Sequence, residues 1–81
     1  MIFSVQIKIM PLKDLLDPQG KAVLGGLHNL GLTSVSAVRV GKNVTMEIEA
    51  DSEEGACRIA TEAAQKLLAN QVMEMFEVSI L

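Results

Sequence analysis

The strictest constraint on the fold lies in the first ten residues, where Phe3, Val5, Ile7 and Ile9 alternate with Ser4, Gln6 and Lys8. Apolar side chains at every second position specify a strand with one buried face, because successive strand residues point to opposite sides of a sheet. Pro11 ends this run, and Leu12 to Leu16 forms a short connection. At Asp17 the period changes. Its carboxylate, placed directly before Pro18, can accept from the free N–H groups of a first helical turn and suits the positive end of the helix dipole. Proline fits the first helical position, where its missing N–H costs nothing and its φ is already set. Leu16 precedes the cap as a staple residue. Val23, Leu24, Leu27 and Leu30, together with Gly20, then share one face of a helix that ends near Gly31. Gly25 and Gly26 inside that helix cost about 1 kcal/mol each relative to alanine. A close approach to the backbone or an exposed, tolerant turn accounts for them equally well.

Two more strands follow, Ser34 to Val40 and Val44 to Ala50, with Gly41-Lys42-Asn43 between them as a tight turn in which Gly41 supplies a positive φ. The second of these strands alternates cleanly: Val44, Met46, Ile48 and Ala50 against Thr45, Glu47 and Glu49. The first does not, since Val38 and Val40 share a face with Ser36, and Val35 and Ala37 share one with Arg39. Asp51 or Ser52 caps a second helix, with Glu53 and Glu54 in its first turn and Lys66 toward its end, as the dipole favours. Ala56, Ile59, Ala60, Ala63 and Leu67 form its expected core stripe, and Asn70-Gln71 closes it. Met73 to Leu81 reads as a last strand, with Phe76, Val78 and Ile80 on one face and Met73, Met75 and Glu77 on the other. The order β-α-β-β-α-β specifies an α+β fold, a ferredoxin-like two-layer sandwich in which two helices cover one face of an antiparallel sheet. The other face stays open, carrying Gln6, Lys8, Glu47 and Glu49.

Size narrows the function. The chain has 81 residues, read as a single domain over 1–81. A domain of this size buries only about 60–70% of its unfolded surface and is marginal alone. Cys57 is the one cysteine, so no intrachain disulfide forms, and neither it nor His28 has neighbours at metal-ligand spacing. With 49% hydrophobic residues and no staple, association is the expected source of stability. A net charge of −3 and only two aromatics, Phe3 and Phe76, argue against nucleic acid. The alternating N-terminus lacks a signal peptide's apolar core, and the uncharged run Ala22 to Val38 is too rich in glycine and polar residues to cross a membrane. The expected compartment is the cytoplasm.

No catalytic pattern is present: there is no GxSxG, P-loop, HExxH or GxGxxG. His28, alone on the first helix, reads as a half-exposed structural histidine, and Cys57 as a small buried helix residue. Lys21, Arg39 and Lys42 sit near a helix start and a turn, where anion binding and plain solvation are equally good readings. Glu47 and Glu49 share a strand face that forms no pocket, so they face solvent or a neighbouring subunit. Catalytic, cofactor-binding and metal-binding residues are all expected to be absent.

The segments Leu16-Asp17-Pro18-Gln19-Gly20-Lys21-Ala22-Val23, Leu27-His28-Asn29-Leu30-Gly31, Val38-Arg39-Val40-Gly41-Lys42 and Lys66-Leu67-Leu68-Ala69-Asn70 together resemble the PurS family, the small subunit of phosphoribosylformylglycinamidine synthase. The resemblance runs almost end to end. It implies a noncatalytic, cofactor-free subunit of a purine-biosynthetic ligase complex. That complex converts formylglycinamide ribonucleotide, glutamine and ATP to formylglycinamidine ribonucleotide, glutamate, ADP and phosphate. The implied partners are a second copy of the chain, as dimer or tetramer, the PurL synthetase and the PurQ glutaminase, which the small subunit bridges while aiding ammonia transfer. Asp17, Gln19, Lys21, Arg39, Gly41 and Lys42 are the expected partner-binding residues, because polar residues at a turn and a cap carry the pattern. Gln71 departs from the proline common in the family, and Gly25-Gly26 from bulkier residues. Competing readings fare worse. An ACT-like regulatory domain needs a ligand pocket at a dimer interface, an acylphosphatase-like enzyme needs an arginine in the loop after the first strand, and a metal carrier needs a CxxC.

Overall fold

A computed structural model describes residues 1–13 and 17–81; the staple reading of Leu16 and most of the predicted connection fall outside the described residues. β1 (Ile2–Pro11) is the central strand, flanked by β2 (Lys42–Glu49) and β3 (Glu74–Ile80), both antiparallel to it. The β1 alternation is realised as predicted: Val5, Ile7 and Ile9 are fully buried. Each such side chain stabilises the fold by about 1.5–3 kcal/mol. Val44, Met46 and Ile48 of β2, with Phe76, Val78 and Ile80 of β3, extend the same buried layer.

That layer is covered by α2 (Glu53–Ala63), which packs on all three strands. Of the two predicted caps, Ser52 is the one used, its hydroxyl accepting from the Gly55 N–H at 3.1 Å. The helix stripe is rotated from the expected one. Ala56, Ala60 and Ala64 are fully buried, whereas Ile59 is 43% and Leu67 83% exposed. Alanines four residues apart let the helix backbone sit close to the sheet, and this leaves the bulky residues of the predicted stripe at the flank. Past Ala63 the helix loosens into one π turn, Ala64–Leu68, closed by the Ala69 N–H donating to the Ala64 carbonyl. Asn70 then gathers the exit: its carbonyl accepts from Met73 and Glu74, and its side-chain oxygen from the Val72 N–H. At the position of the family proline, the Gln71 amide donates to the Gln65 carbonyl at 3.2 Å.

α1 (Pro18–Asn29) starts at Asp17 and Pro18 as the sequence predicts. It ends in a Schellman motif, in which Leu32 N–H donates to the Leu27 carbonyl, Gly31 N–H donates to the His28 carbonyl, and Gly31 has φ +88°. The helix does not lie on the sheet, however. It has no substantial packing with any strand or with α2. Gly20 is its one buried residue, Leu24 and Leu27 are partly buried, and Leu30 is 77% exposed.

The segment after α1 accounts for this. The tight turn expected at Gly41-Lys42-Asn43 is not formed. Gly41 has no positive φ, and Lys42 and Asn43 already belong to β2, opposite Ile9 and Lys8. In the same register Val40 would face Pro11, the last residue of β1, so residues 35–39 overrun the end of the central strand and pair with no strand among the described residues. They run without a turn or bend into β2. Residues 35–49, at about 3.3 Å each, span about 50 Å, which matches the 51 Å long axis of the molecule. The radius of gyration is 16.0 Å, against about 12 Å for a compact chain of this length. Counting segment 35–40 as the second strand, the chain follows the β-α-β-β-α-β order of an α+β, ferredoxin-like antiparallel fold. Within one chain, half of the sandwich is assembled as sheet plus α2, and the other half, α1 with segment 35–40, projects as an arm.

Candidate functional site

The arm meets the sheet at a joint, and the joint collects nearly every residue expected to carry function. Asp17 has one carboxylate oxygen on the Gly20 N–H (3.0 Å), which caps α1, and the other on the Val40 N–H (3.0 Å). One side chain therefore starts the helix and holds the returning segment against it. These two N–H donors, Val40 first and then Gly20, hold the Asp17 carboxyl below its ordinary pKa, with smaller contributions from the Gln19 N–H and the Arg39 charge. Arg39 donates from its guanidinium to the Pro11 carbonyl and so ties the segment to the end of β1. Lys42 lies 4.0 Å from Glu74 of β3. At the far end of the arm, His28 Nε2 lies 2.7 Å from the Val35 carbonyl.

The two joint glycines act through close approach. A Cβ on Gly20 would fall well inside 3.0 Å of the Val38 carbonyl and 2.6 Å from Asp17 Oδ2. One on Gly41 would press on the Ile9 carbonyl and Met10 sulfur. Gly25 and Gly26, by contrast, face open space with nothing within 4 Å. Gln19 lines a cleft of about 260 Å³ with Asp17, Pro18, Pro11, Val40, Asn70, Met73 and Glu74. Lys21 is exposed, and its backbone N–H donates to the Asp17 carbonyl. Asn70, Met73 and Glu74 were missed by sequence reasoning. Their place at the joint depends on the pairing of β3 with the end of β1, which puts Glu74 opposite Pro11.

Little here is suited to chemistry. Among the described residues no group of three or more His, Cys, Asp or Glu side chains is placed to hold a metal ion, and no buried side-chain nitrogen or oxygen lacks a partner. Cys57 is partly buried on α2. Glu47 and Glu49 are exposed on the open sheet face, as predicted, opposite Ser4 and Ile2. No helix is long and apolar enough to cross a membrane among the described residues. The side chains at the joint bind backbone and one another, so the site orients parts of the molecule. Fold and joint together define a small α+β assembly module, with a half-open sandwich and a projecting arm.

Comparison with known proteins agrees. Residues 4–81 match the family model PurS, phosphoribosylformylglycinamidine (FGAM) synthase. The PurS subunit of Synechocystis sp. is 43% identical over 68 residues, covering 82% of this chain and 68% of that protein. Among solved structures, PurS of Bacillus subtilis superposes with a TM-score of 0.87 at 33% identity, over 100% of this chain and 99% of that one. A chain in the structure of PurLQS from Thermotoga maritima does so with 0.91 at 31% identity, over 100% and 99%. The chain belongs to the PurS family of FGAM synthase subunits.

Proposed function

We propose that this chain is the noncatalytic small subunit of a cytoplasmic FGAM synthase, acting as a self-associating bridge between a PurL-type synthetase and a PurQ-type glutaminase. In this role it supports the glutamine- and ATP-dependent conversion of formylglycinamide ribonucleotide to formylglycinamidine ribonucleotide, with ammonia passing between the two larger subunits. The observation that carries the reading is the arm. Among the described residues, segment 35–40 is extended yet pairs with no strand, the outer edge of β2 carries no further strand, and the apolar residues Val23 and Leu30 of α1 are exposed. A free edge is a ready template for another strand. A second copy that lays its segment 35–40 along β2 supplies the fourth strand, and its α1 then comes beside α2, completing the two-layer sandwich between two chains. The polar joint, with Asp17, Gln19, Lys21, Arg39, Gly41 and Lys42, lies where the arms emerge and serves as the partner-facing region.

Reconstitution tests this. The chain is mixed with the synthetase and glutaminase subunits of its own organism, and FGAM formation is measured with glutamine and, separately, with ammonium as nitrogen source. Glutamine-dependent turnover is expected to require the chain, whereas ammonium-dependent turnover by the synthetase is expected to need it far less. Equal glutamine-dependent rates with and without it would reject the role. Replacing Arg39 and Lys42 together by alanine is expected to weaken complex formation by calorimetry.

A further inference from the structure

The arm is joined to the sheet by a handful of polar contacts, and one of them has a function separable from helix capping. An N-cap needs one acceptor oxygen. Asp17 uses Oδ1 for that purpose, on Gly20, and spends Oδ2 on Val40, twenty-three residues further along the chain. With segment 35–40 outside any ladder and α1 hardly touching the sheet, no buried core residue among the described residues fixes the direction of the arm. The Asp17–Val40 and Arg39–Pro11 bonds, braced by the close contacts at Gly20 and Gly41, are what remain. Of the other charged groups at the joint, Lys42 and Glu74 face each other and Lys21 is exposed.

We propose that the second oxygen of Asp17 is a clasp that sets the angle between arm and sheet, and thereby decides whether exchanged arms close into a discrete dimer. This rests on the self-association proposed above. Exchange of an element between copies yields a closed pair only when the rotation relating them closes; other angles lead to open chains. Asp17 is thus a positioning residue for assembly.

The test separates the two oxygens. Asp17→Ser keeps a good cap but is too short to reach Val40, and Asp17→Asn offers one acceptor oxygen in place of two. The full-length variants are compared with the parent chain by sedimentation velocity, small-angle scattering, helical circular dichroism and the NMR shift of the Val40 amide proton. Both variants should retain the helical signal. Asp17→Ser should move the Val40 shift, and its dimer dissociation constant should rise at least tenfold or open-chain species should appear. Dimerisation within twofold of the parent with unchanged scattering overturns the clasp, as does a loss of helicity that parallels the loss of dimer, which would make Asp17 a cap only. If the parent chain is itself monomeric, the dimer reading fails on its own. An Asp17→Ser monomer with a broadened radius of gyration then still supports the clasp, and one with the parent's value and Val40 shift overturns it.

Discussion

Gly20→Ala and Gly25→Ala make the same chemical change in the same helix and should shift stability in opposite directions. Alanine in place of a helical glycine gains about 0.5–1 kcal/mol from backbone entropy. At Gly25, on the side of α1 away from Leu24 and Leu27, the added methyl meets nothing within 4 Å, so that gain is realised in full. At Gly20 the methyl lands on the Val38 carbonyl and 2.6 Å from Asp17 Oδ2. Ordinary contact begins at 3.4 Å, so the carboxylate oxygen must retreat by about 0.8 Å (from 2.6 to 3.4 Å) and the carbonyl by more. Either movement strains the 3.0 Å bond to Val40, because both groups belong to the same joint. Overpacking of this kind costs about 1–3 kcal/mol, which exceeds the entropic gain. A domain of this size shifts by about 4–8 °C per kcal/mol. Gly25→Ala should therefore raise the melting temperature by about 2–8 °C, and Gly20→Ala should lower it by up to about 20 °C. Circular dichroism melts at one fixed protein concentration make the comparison, since association makes the midpoint concentration-dependent. A Gly20→Ala chain as stable as Gly25→Ala would refute the close approach on which the joint is built.

Two further outcomes follow from the same structure. Because its carboxyl titrates below the ordinary 3.8, Asp17 contributes stability that is present above that value and lost as pH falls through the folded-state pKa. The Val40 and Gly20 amide shifts in NMR should accordingly move together on acidification with a common midpoint below 3.8; a joint midpoint at or above 3.8 counts against the arrangement. At the exit of the π turn, none of the backbone hydrogen bonds among the described residues uses the Gln71 N–H. Gln71→Pro should therefore leave the urea midpoint unchanged or raise it slightly, by about 0.4–1 kcal/mol in stability. A clear loss would show that the Gln71–Gln65 bond holds the turn.

What the sequence could determine was local or periodic. The β1 alternation, the Asp17-Pro18 start, the glycine stop at Gly31 and the inward face of β2 all follow from side-chain spacing and from rules acting within one turn or one strand. Asp17, Gln19, Lys21, Arg39, Gly41 and Lys42 stand out in the sequence because polar residues at a cap and an apparent turn carry the family pattern, but Asn70, Met73 and Glu74 do not, and the role of Gly41 differs from the expected one. A glycine between two apolar runs looks like a hairpin turn, and only the register, with Lys42 already opposite Ile9, shows that it relieves a collision with β1. The α2 stripe was rotated for a similar reason. Periodicity gives several neighbouring faces, and the distance between helix and sheet selects the one lined by Ala56, Ala60 and Ala64. The largest feature that only tertiary structure decided is the arm. Where β1 ends relative to β2 is a matter of pairing between distant parts of the chain, and that offset leaves segment 35–40 outside the sheet and α1 off its face among the described residues.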